Sequence, residues 1–137
     1  MASAGGHRFR LETLPERLAV CRLDPGSPVP PWAWSGPFQT VTRTADELSI
    51  VCAEAAVPAA VRRDAGWRAL RIAGTLPFDI PGVMAGLATA IAASGISLFA
   101  ISTFDTDYIL VKEPDLDGAV AALRAAGHEV RTEPATP

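Results

Sequence analysis

The sequence has few of the residues that build disulfide frameworks and metal sites, with two cysteines and two histidines among 137 residues. Small secreted domains use more cysteines than this, so we expect Cys21 and Cys52 to be buried free thiols. His7 and His128 lie near opposite ends of the chain and outside any spaced motif, which predicts solvated side chains rather than ligands or bases. The sequence therefore predicts no metal and no cofactor.

Clustered positive charge is missing as well. The net charge is −3 and the arginines are spread along the chain, whereas a nucleic-acid-binding face groups basic residues with aromatic or polar ones. The first residues lack the basic start and continuous apolar run of a signal peptide. We expect a cytoplasmic protein that binds no nucleic acid.

One long stretch is nearly without charge, since Thr75–Thr103 holds only Asp79. A membrane-spanning helix needs about 20 continuous apolar residues. Here Pro81-Gly82 and Ser94-Gly95 break the stretch, and the segment after them is rich in β-branched residues, which favour a strand. The sequence therefore predicts no membrane contact.

Catalytic motifs are absent from the sequence. It has no CxxC pair and no glycine-rich phosphate loop, and no serine has a paired histidine to activate it. A small-molecule lyase or isomerase on this chain would have to use Glu47 or Asp107 as its base. We expect no enzyme.

The first half of the chain predicts strands and little helix. Pro15-Glu16 is a turn signal between two apolar runs. The stretch 24–37 carries five prolines, which exclude a regular helix or a central strand. Trp32 and Trp34 within it are expected to cover the core in place of a helix. The predicted elements are strands at 8–14, 17–23, 38–44 and 47–54 and a short helix at 58–63.

The second half predicts the order βαββαβ, which is that of a ferredoxin-like unit. Val83, Leu87 and Ile91 repeat at helical spacing. Asp115 can cap a second helix, and Gly127 can end it. The predicted elements are strands at 67–76, 95–103, 108–113 and 128–133 and helices at 81–94 and from 115 to about 127.

Two twelve-residue windows look alike, TVTRTADELSIV (40–51) and AISTFDTDYILV (100–111). Aligned without a gap, they match Glu47 with Asp107. The likeness indicates a duplicated unit whose first copy is degenerate, with the proline-rich stretch in place of a helix. Chance similarity between two β-hairpins is the alternative, because short strands share few residue types.

The segment GTLPFDIPGVMAGLATAIAASGISLFAISTFDTDYILVKE resembles the ACT domain, and ISTFDTDYILVKE is its most specific part. The sequence is similar, over about residues 9–131, to the tandem-ACT group that contains the CASTOR arginine sensors and the aspartokinase regulatory domains. The resemblance implies an α+β protein with two ferredoxin-like βαββαβ ACT units in tandem, the first degenerate, each an antiparallel sheet with helices on one face. The implied divisions are a flexible tail at 1–7, units at 8–66 and 67–133, and a tail at 134–137.

The loop at 77–84 is the first half of the ligand site that this resemblance implies. Free N–H groups at a helix start suit an α-carboxylate. Asp79 either accepts a ligand ammonium group or only caps the helix. The residues assigned to this half are Phe78, Asp79, Ile80, Pro81, Gly82, Val83 and Met84.

Strand 96–103 and the turn after it form the second half. In the arginine sensors an acidic residue at the position of Asp107 holds the basic side chain of the ligand, so a basic amino acid is one candidate. The alternative is that Asp105 and Asp107 only stabilise the turn, and the apolar lining would equally suit a branched or aromatic ligand. The residues assigned to this half are Ser97, Leu98, Thr103, Phe104 and Asp107.

The arginine sensors carry four ACT units in one chain, whereas this sequence has one pair. A complete site therefore implies a homodimer, although side-by-side pairing within the monomer is the other arrangement. The small, uncharged face of the helix at 81–94 fits a buried interface. We expect an amino-acid-binding regulatory or sensor protein. The alternative is a ligand-free homo-oligomeric adaptor that binds a protein partner, because fold alone does not decide function.

Overall fold

The structure is a computed structural model that describes residues 7–74 and 82–134. Its contacts divide the chain into two compact units. The inserted unit is Glu16–Trp67. The outer unit combines the described residues up to Pro15 with those from Arg68 to Pro134.

The described residues form strands joined by two α-helices and short 3₁₀ turns. The strands are β1 (Arg10–Thr13), β2 (Leu18–Leu23), β3 (Thr40–Arg43), β4 (Leu48–Ala53), β5 (Arg62–Ile72), β6 (Phe99–Ser102), β7 (Asp107–Lys112) and β8 (Glu129–Arg131). The helices are α1 (Val83–Ala92) and α2 (Leu116–Ala125), and the 3₁₀ turns are Pro31–Trp34, Glu54–Ala56 and Glu113–Asp115. The mixture confirms the predicted α+β class.

The sheet of the outer unit contains a strand that the sequence did not assign to it. Its order is β6-β7-β5-β1-β8, with β5 contributing its C-terminal half. β1 pairs antiparallel with β5, where Leu11 lies opposite Ile72, and parallel with β8, where Leu11 lies opposite Val130. The predicted boundary gave residues 8–15 to the first unit, whereas their contacts group them with the outer one. The β1–β8 pair is parallel, whereas the β1–β5 and β6–β7 pairs are antiparallel, as predicted for the sheet.

The core of the outer unit forms where both helices pack on one face of its sheet. Val83, Leu87 and Ile91 of α1 are buried, as their helical spacing predicts. They meet buried residues of α2 and of the strands, and each fully buried Leu or Ile contributes about 1.5–3 kcal/mol. The strand and α2 residues of this core are Phe9, Leu11, Leu70, Ile72, Ile109, Val111, Ala119, Val120, Leu123 and Val130.

A buried arginine ties the last described residues to the end of β1. Arg68 is 3% exposed. Its Nη2 donates to the carbonyl oxygens of Leu14, at 3.0 Å, and Glu133, at 3.3 Å. Its Nη1 lies 3.6 Å from a carboxylate oxygen of Glu113. The Thr13 hydroxyl accepts from the Glu133 N–H at 2.6 Å, so the segment after β8 is held at two points.

The inserted unit has ferredoxin-like strand connectivity without α-helices among its described residues. Its strand order is β3-β4-β2-β5, with the N-terminal half of β5 at one edge. The 3₁₀ turns Pro31–Trp34 and Glu54–Ala56 stand where a βαββαβ unit has helices. This agrees with a degenerate first copy. Its core comprises Ala19, Cys21, Ala33, Leu48, Ile50, Cys52 and Val57.

The two hairpins of the predicted repeat correspond, but the alignment between them was wrong by one residue. The last pair is Arg43 opposite Leu48 in β3–β4 and Ser102 opposite Asp107 in β6–β7. The residue of the first hairpin that is structurally equivalent to Asp107 is therefore Leu48, not Glu47. The ungapped comparison matched residue types on neighbouring positions, and one shift exchanges the two faces of a strand.

Three other local predictions differ from the structure. The segment 58–63 forms no helix, because Arg62 already begins β5 and pairs with Arg22 of β2. Trp32 packs against the core of the inserted unit as predicted, whereas Trp34 is 58% exposed. Asp115 occupies the N-cap position of α2 but makes no capping hydrogen bond through its side chain.

Candidate functional site

The start of α1 carries three of the predicted ligand-binding residues, Gly82, Val83 and Met84. Gly82 is the N-cap, with a left-handed φ of 74° and no side chain to occupy the N–H groups of the first turn. Val83 is buried in the core of the outer unit and Met84 packs against it. Their side chains anchor the helix, so only the backbone N–H groups of this first turn remain available for contacts outside the helix.

The outward face of α1 is made of small, uncharged residues. Ala85, Gly86, Thr89 and Ala92 are exposed, and the helix contains no charged residue. Ser97 is exposed and Leu98 packs against the core just before β6 begins. β6 pairs with β7 alone among the described strands, so within these residues it is an edge strand.

The turn between β6 and β7 is closed by two threonines. The Thr103 N–H donates to the Thr106 carbonyl at 2.8 Å, and the Thr103 hydroxyl donates to the same oxygen at 3.0 Å. In return, the Thr106 N–H donates to the Thr103 hydroxyl at 3.2 Å. Thr103 is therefore used by the turn itself. Its hydroxyl both donates to and accepts from the Thr106 backbone within the turn.

Thr106 connects this turn to the neighbouring strand, a role that the sequence analysis missed. Its side chain is buried and its hydroxyl donates to the Ile72 carbonyl oxygen at 2.8 Å. Ile72 is the last residue of β5. The bond fixes the turn beside the point from which the chain runs on towards α1. The Thr-x-x-Thr spacing from Thr103 to Thr106 is the local signal that indicates such a turn.

Phe104 and Asp107 occupy different parts of this hairpin. Phe104 is 80% exposed at its tip. Asp107 is half-buried, begins β7 and lies opposite Ser102. The described ligand-binding candidates thus fall into two groups within the outer unit, one at Gly82–Met84 and one at the β6–β7 hairpin. The other predicted residues, Phe78, Asp79, Ile80 and Pro81, lie outside the described residues.

The histidines are structural rather than solvated. His128 Nδ1 accepts a hydrogen bond from the Phe9 N–H at 3.0 Å, and its ring stacks on Phe9 at 5.6 Å. His7 also stacks on Phe9, with the two ring centroids 6.0 Å apart. Burial lowers the pKa of His128. The prediction of solvated histidines was wrong, because both side chains are half-buried.

The cysteines are buried free thiols, as predicted. Burial raises the pKa of Cys21 to about 11 and also raises that of Cys52, so both stay protonated and unreactive near neutral pH. Across residues 7–74 and 82–134, no group of three or more His, Cys, Asp or Glu side chains is arranged to hold a metal ion. Within the same ranges, no helix has the length and apolar character to cross a membrane.

Two sequence profiles match this chain. That of the ACT domain matches residues 62–125. A second profile, of an N-terminal domain, matches residues 16–60, which fall within the inserted unit. The boundary between the two matches, at residues 60–62, lies a few residues before the one that the contacts place after Trp67.

Among curated proteins, subunit 1 of the cytosolic arginine sensor for mTORC1 is similar. The human and cattle proteins are each 41% identical over 59 residues, which is 42% of this chain and 18% of theirs. The chain therefore spans less than a fifth of the length of these relatives.

Solved structures extend the likeness to nearly the whole chain. An Agrobacterium tumefaciens protein is 37% identical with a TM-score of 0.88, over 93% of this chain and 96% of that one. The regulatory subunit of Thermus thermophilus aspartate kinase has a TM-score of 0.60 at 10% identity, over 84% and 97% of the two chains, and so shares the fold. With its profile match, its strand order and these relatives, the chain belongs to the ACT domain family.

Proposed function

We propose that this protein is a regulatory amino-acid-binding protein whose ligand site lies in the outer unit. ACT-type relatives named as an arginine sensor and as a kinase regulatory subunit support a regulatory role rather than catalysis. Arginine is the first candidate ligand, because the matched relative is named as an arginine sensor. A cytoplasmic location belongs to the same proposal.

The Thr106–Ile72 hydrogen bond is the observation that carries this proposal. It holds the β6–β7 turn beside the end of β5, where the chain runs on towards Gly82 and α1. In the proposed complex, the first-turn N–H groups of α1 bind the ligand α-carboxylate. Asp107 then accepts hydrogen bonds from the ligand's guanidinium or ammonium group, which a carboxylate binds strongly.

A second copy of the chain is proposed to complete the site. The exposed face of α1 has no charge to desolvate, and β6 is an edge strand among the described strands. Both features favour a symmetric dimer in which each protomer presents the same surface. Ligand binding would then favour one state of the dimer by its differential affinity.

The test is a thermal-unfolding titration of the purified chain with arginine, lysine, leucine and phenylalanine, with light-scattering mass in parallel. A ligand at about 100 times its Kd adds about 2.7 kcal/mol to stability. We expect arginine to raise Tm and to increase the dimer fraction. Leucine or phenylalanine acting alone would instead identify an apolar ligand and refute the role of Asp107.

Asp107→Asn is the informative variant and Asp105→Asn its matched control. Both residues lie at the same hairpin, but only Asp107 belongs to the proposed site. Asp107→Asn is expected to weaken arginine binding at least tenfold, about 1.4 kcal/mol, while Asp105→Asn leaves binding unchanged. Equal effects of the two variants would mean that the carboxylates serve the turn alone.

A protein-binding adaptor is the second candidate, favoured by the strongly exposed aromatic side chains Phe104 and Trp34. Exposed aromatic residues are common anchors of protein interfaces. If none of the four amino acids changes Tm at millimolar concentration, this candidate leads. Loss of a co-purifying partner from Phe104→Ala or Trp34→Ala protein would then identify the surface.

A further inference from the structure

The inserted unit contains a cleft that the proposed amino-acid site does not use. Its volume is about 430 Å³, within the range of about 300–1,000 Å³ that small-molecule sites occupy. It is lined by Glu16, Arg17 and Glu54 together with Gly36, Pro37, Ala53 and Ala55. We refer to it as the Glu16 cleft.

Glu16 brings an unsatisfied acceptor to this cleft. Its Oε1 atom is buried and has no hydrogen-bond partner among the described residues. A buried carboxylate oxygen is normally paired, because burial removes the hydrogen bonds that water supplies. Glu16 lines the cleft, so a donor bound in the cleft can reach this carboxylate and supply a partner that the surrounding residues do not.

The wall of the cleft is held by its own contacts. Gly36 has a φ of 78°, and a Cβ at this position would come within 3.0 Å of the Ala53 Cβ. Only glycine therefore permits this close approach. Within the same lining, the Glu54 N–H donates to the Arg17 carbonyl at 3.0 Å. The cleft is a formed part of the unit rather than a gap between loose loops.

The lining selects the chemistry of the ligand. Two glutamates and one arginine border the cleft, so its charged residues sum to one negative charge. The remaining lining, Gly36, Pro37, Ala53 and Ala55, is small and non-polar. Such a surface favours a compact apolar body, and the Glu16 carboxylate favours a positively charged donor.

We infer that the Glu16 cleft is a second small-molecule site, which takes a primary ammonium compound with an apolar body. The ammonium group donates to the Glu16 carboxylate, and the apolar part lies against Pro37, Ala53 and Ala55. The site lies wholly within Glu16–Trp67, whereas the proposed amino-acid site belongs to the outer unit. The two sites are therefore tested separately.

The test uses 2-phenylethylamine as the probe and 2-phenylethanol as its neutral counterpart, with the full chain observed by amide NMR. At about 10 mM, a probe with a Kd of about 1 mM approaches saturation. We expect saturable shifts from the amine that centre on residues 16–17, 36–37 and 53–55. The alcohol should bind at least tenfold more weakly.

Two variants and one control complete the test. Glu16→Gln is expected to weaken amine binding at least tenfold, and Ala55→Leu to block it by filling the cleft. Glu129→Gln removes an exposed carboxylate in the outer unit and should change nothing. Absence of saturable shifts, equal binding of the alcohol, or unchanged binding by folded Glu16→Gln protein would each overturn the inference. None of these results alters the arginine test at Asp107.

Discussion

Arg68 provides the sharpest test of how the outer unit is held together. In the folded protein its guanidinium group is 3% exposed and donates to the carbonyl oxygens of Leu14 and Glu133. Arg68→Ala leaves both oxygens without this donor. Hydrogen bonds to charged groups contribute about 1.5–3 kcal/mol each, so we expect a loss of about 3–6 kcal/mol. The Glu113 carboxylate, 3.6 Å away and one-third exposed, adds at most about 1 kcal/mol.

This loss should appear as a lower midpoint of unfolding in the outer unit. For a chain of this length, about 1 kcal/mol corresponds to about 3–4 °C, so Tm should fall by about 10–25 °C. Far-UV circular dichroism follows the outer unit, because α1 and α2 both lie there. Tryptophan fluorescence follows the inserted unit, which holds Trp32, Trp34 and Trp67. The change is expected mainly in the dichroism.

Arg68→Lys and Arg131→Ala are the comparison variants. Lysine keeps the charge but cannot reach two carbonyls with a planar fork, so Arg68→Lys should recover only part of the stability. The Arg131 side chain is 78% exposed and pairs with Glu133 at 3.4 Å, so its loss should cost less than about 1 kcal/mol. If Arg68→Ala were no more destabilising than Arg131→Ala, the assignment of Arg68 as a structural tie would be wrong.

Three further predictions follow from named contacts. The folded-state pKa of His128 is lowered by burial, so its contribution to stability should be complete above about pH 6.5, the unfolded value, and decline as pH falls through the folded value. Urea unfolding at a series of pH values measures this, and His128→Gln should flatten it. Thr106→Val removes a buried donor and should cost about 1–2 kcal/mol in urea unfolding and weaken arginine binding. Gly36→Ala should cost about 1–3 kcal/mol more than Gly66→Ala in thermal unfolding, because both have a φ near 80° but only at Gly36 would the new Cβ press against the Ala53 Cβ, 3.0 Å away.

Each of these three has a clear contrary result. An unchanged pH profile in the His128→Gln protein would mean that other groups produce the dependence. Full stability of Thr106→Val would show that the Ile72 carbonyl finds another donor at no cost. Equal losses from the two glycine variants would place the whole effect in the backbone conformation.

The sequence predicts best those elements whose signals are local. The helix around Leu87 follows from its apolar spacing, and the two hairpins follow from alternating strands around polar turns. The strand at 8–14 was placed in the first unit, because its pairing with β8 joins segments far apart in the chain. Parallel pairing of that kind leaves no turn signal to read.

The candidate site was less accessible from the sequence. The spacing placed Gly82 at a helix start, where the structure has the N-cap. Thr106 escaped notice because its importance comes from a tertiary contact with Ile72, which no local pattern encodes. The Glu16 cleft could not be predicted from the sequence either, because its lining residues come from three separate segments of the inserted unit.

The position of β1 also sets the order in which the chain can fold during synthesis. Phe9, just before β1, bonds to His128, 119 positions later. At about 5–20 residues per second, the ribosome needs on the order of ten seconds to deliver that partner. The inserted unit, contained in Glu16–Trp67, can form during this interval. The edge of β1 that later pairs with β8 stays unpaired until β8 has been synthesised. A nascent chain in this interval is the form most exposed to misassembly with a second copy.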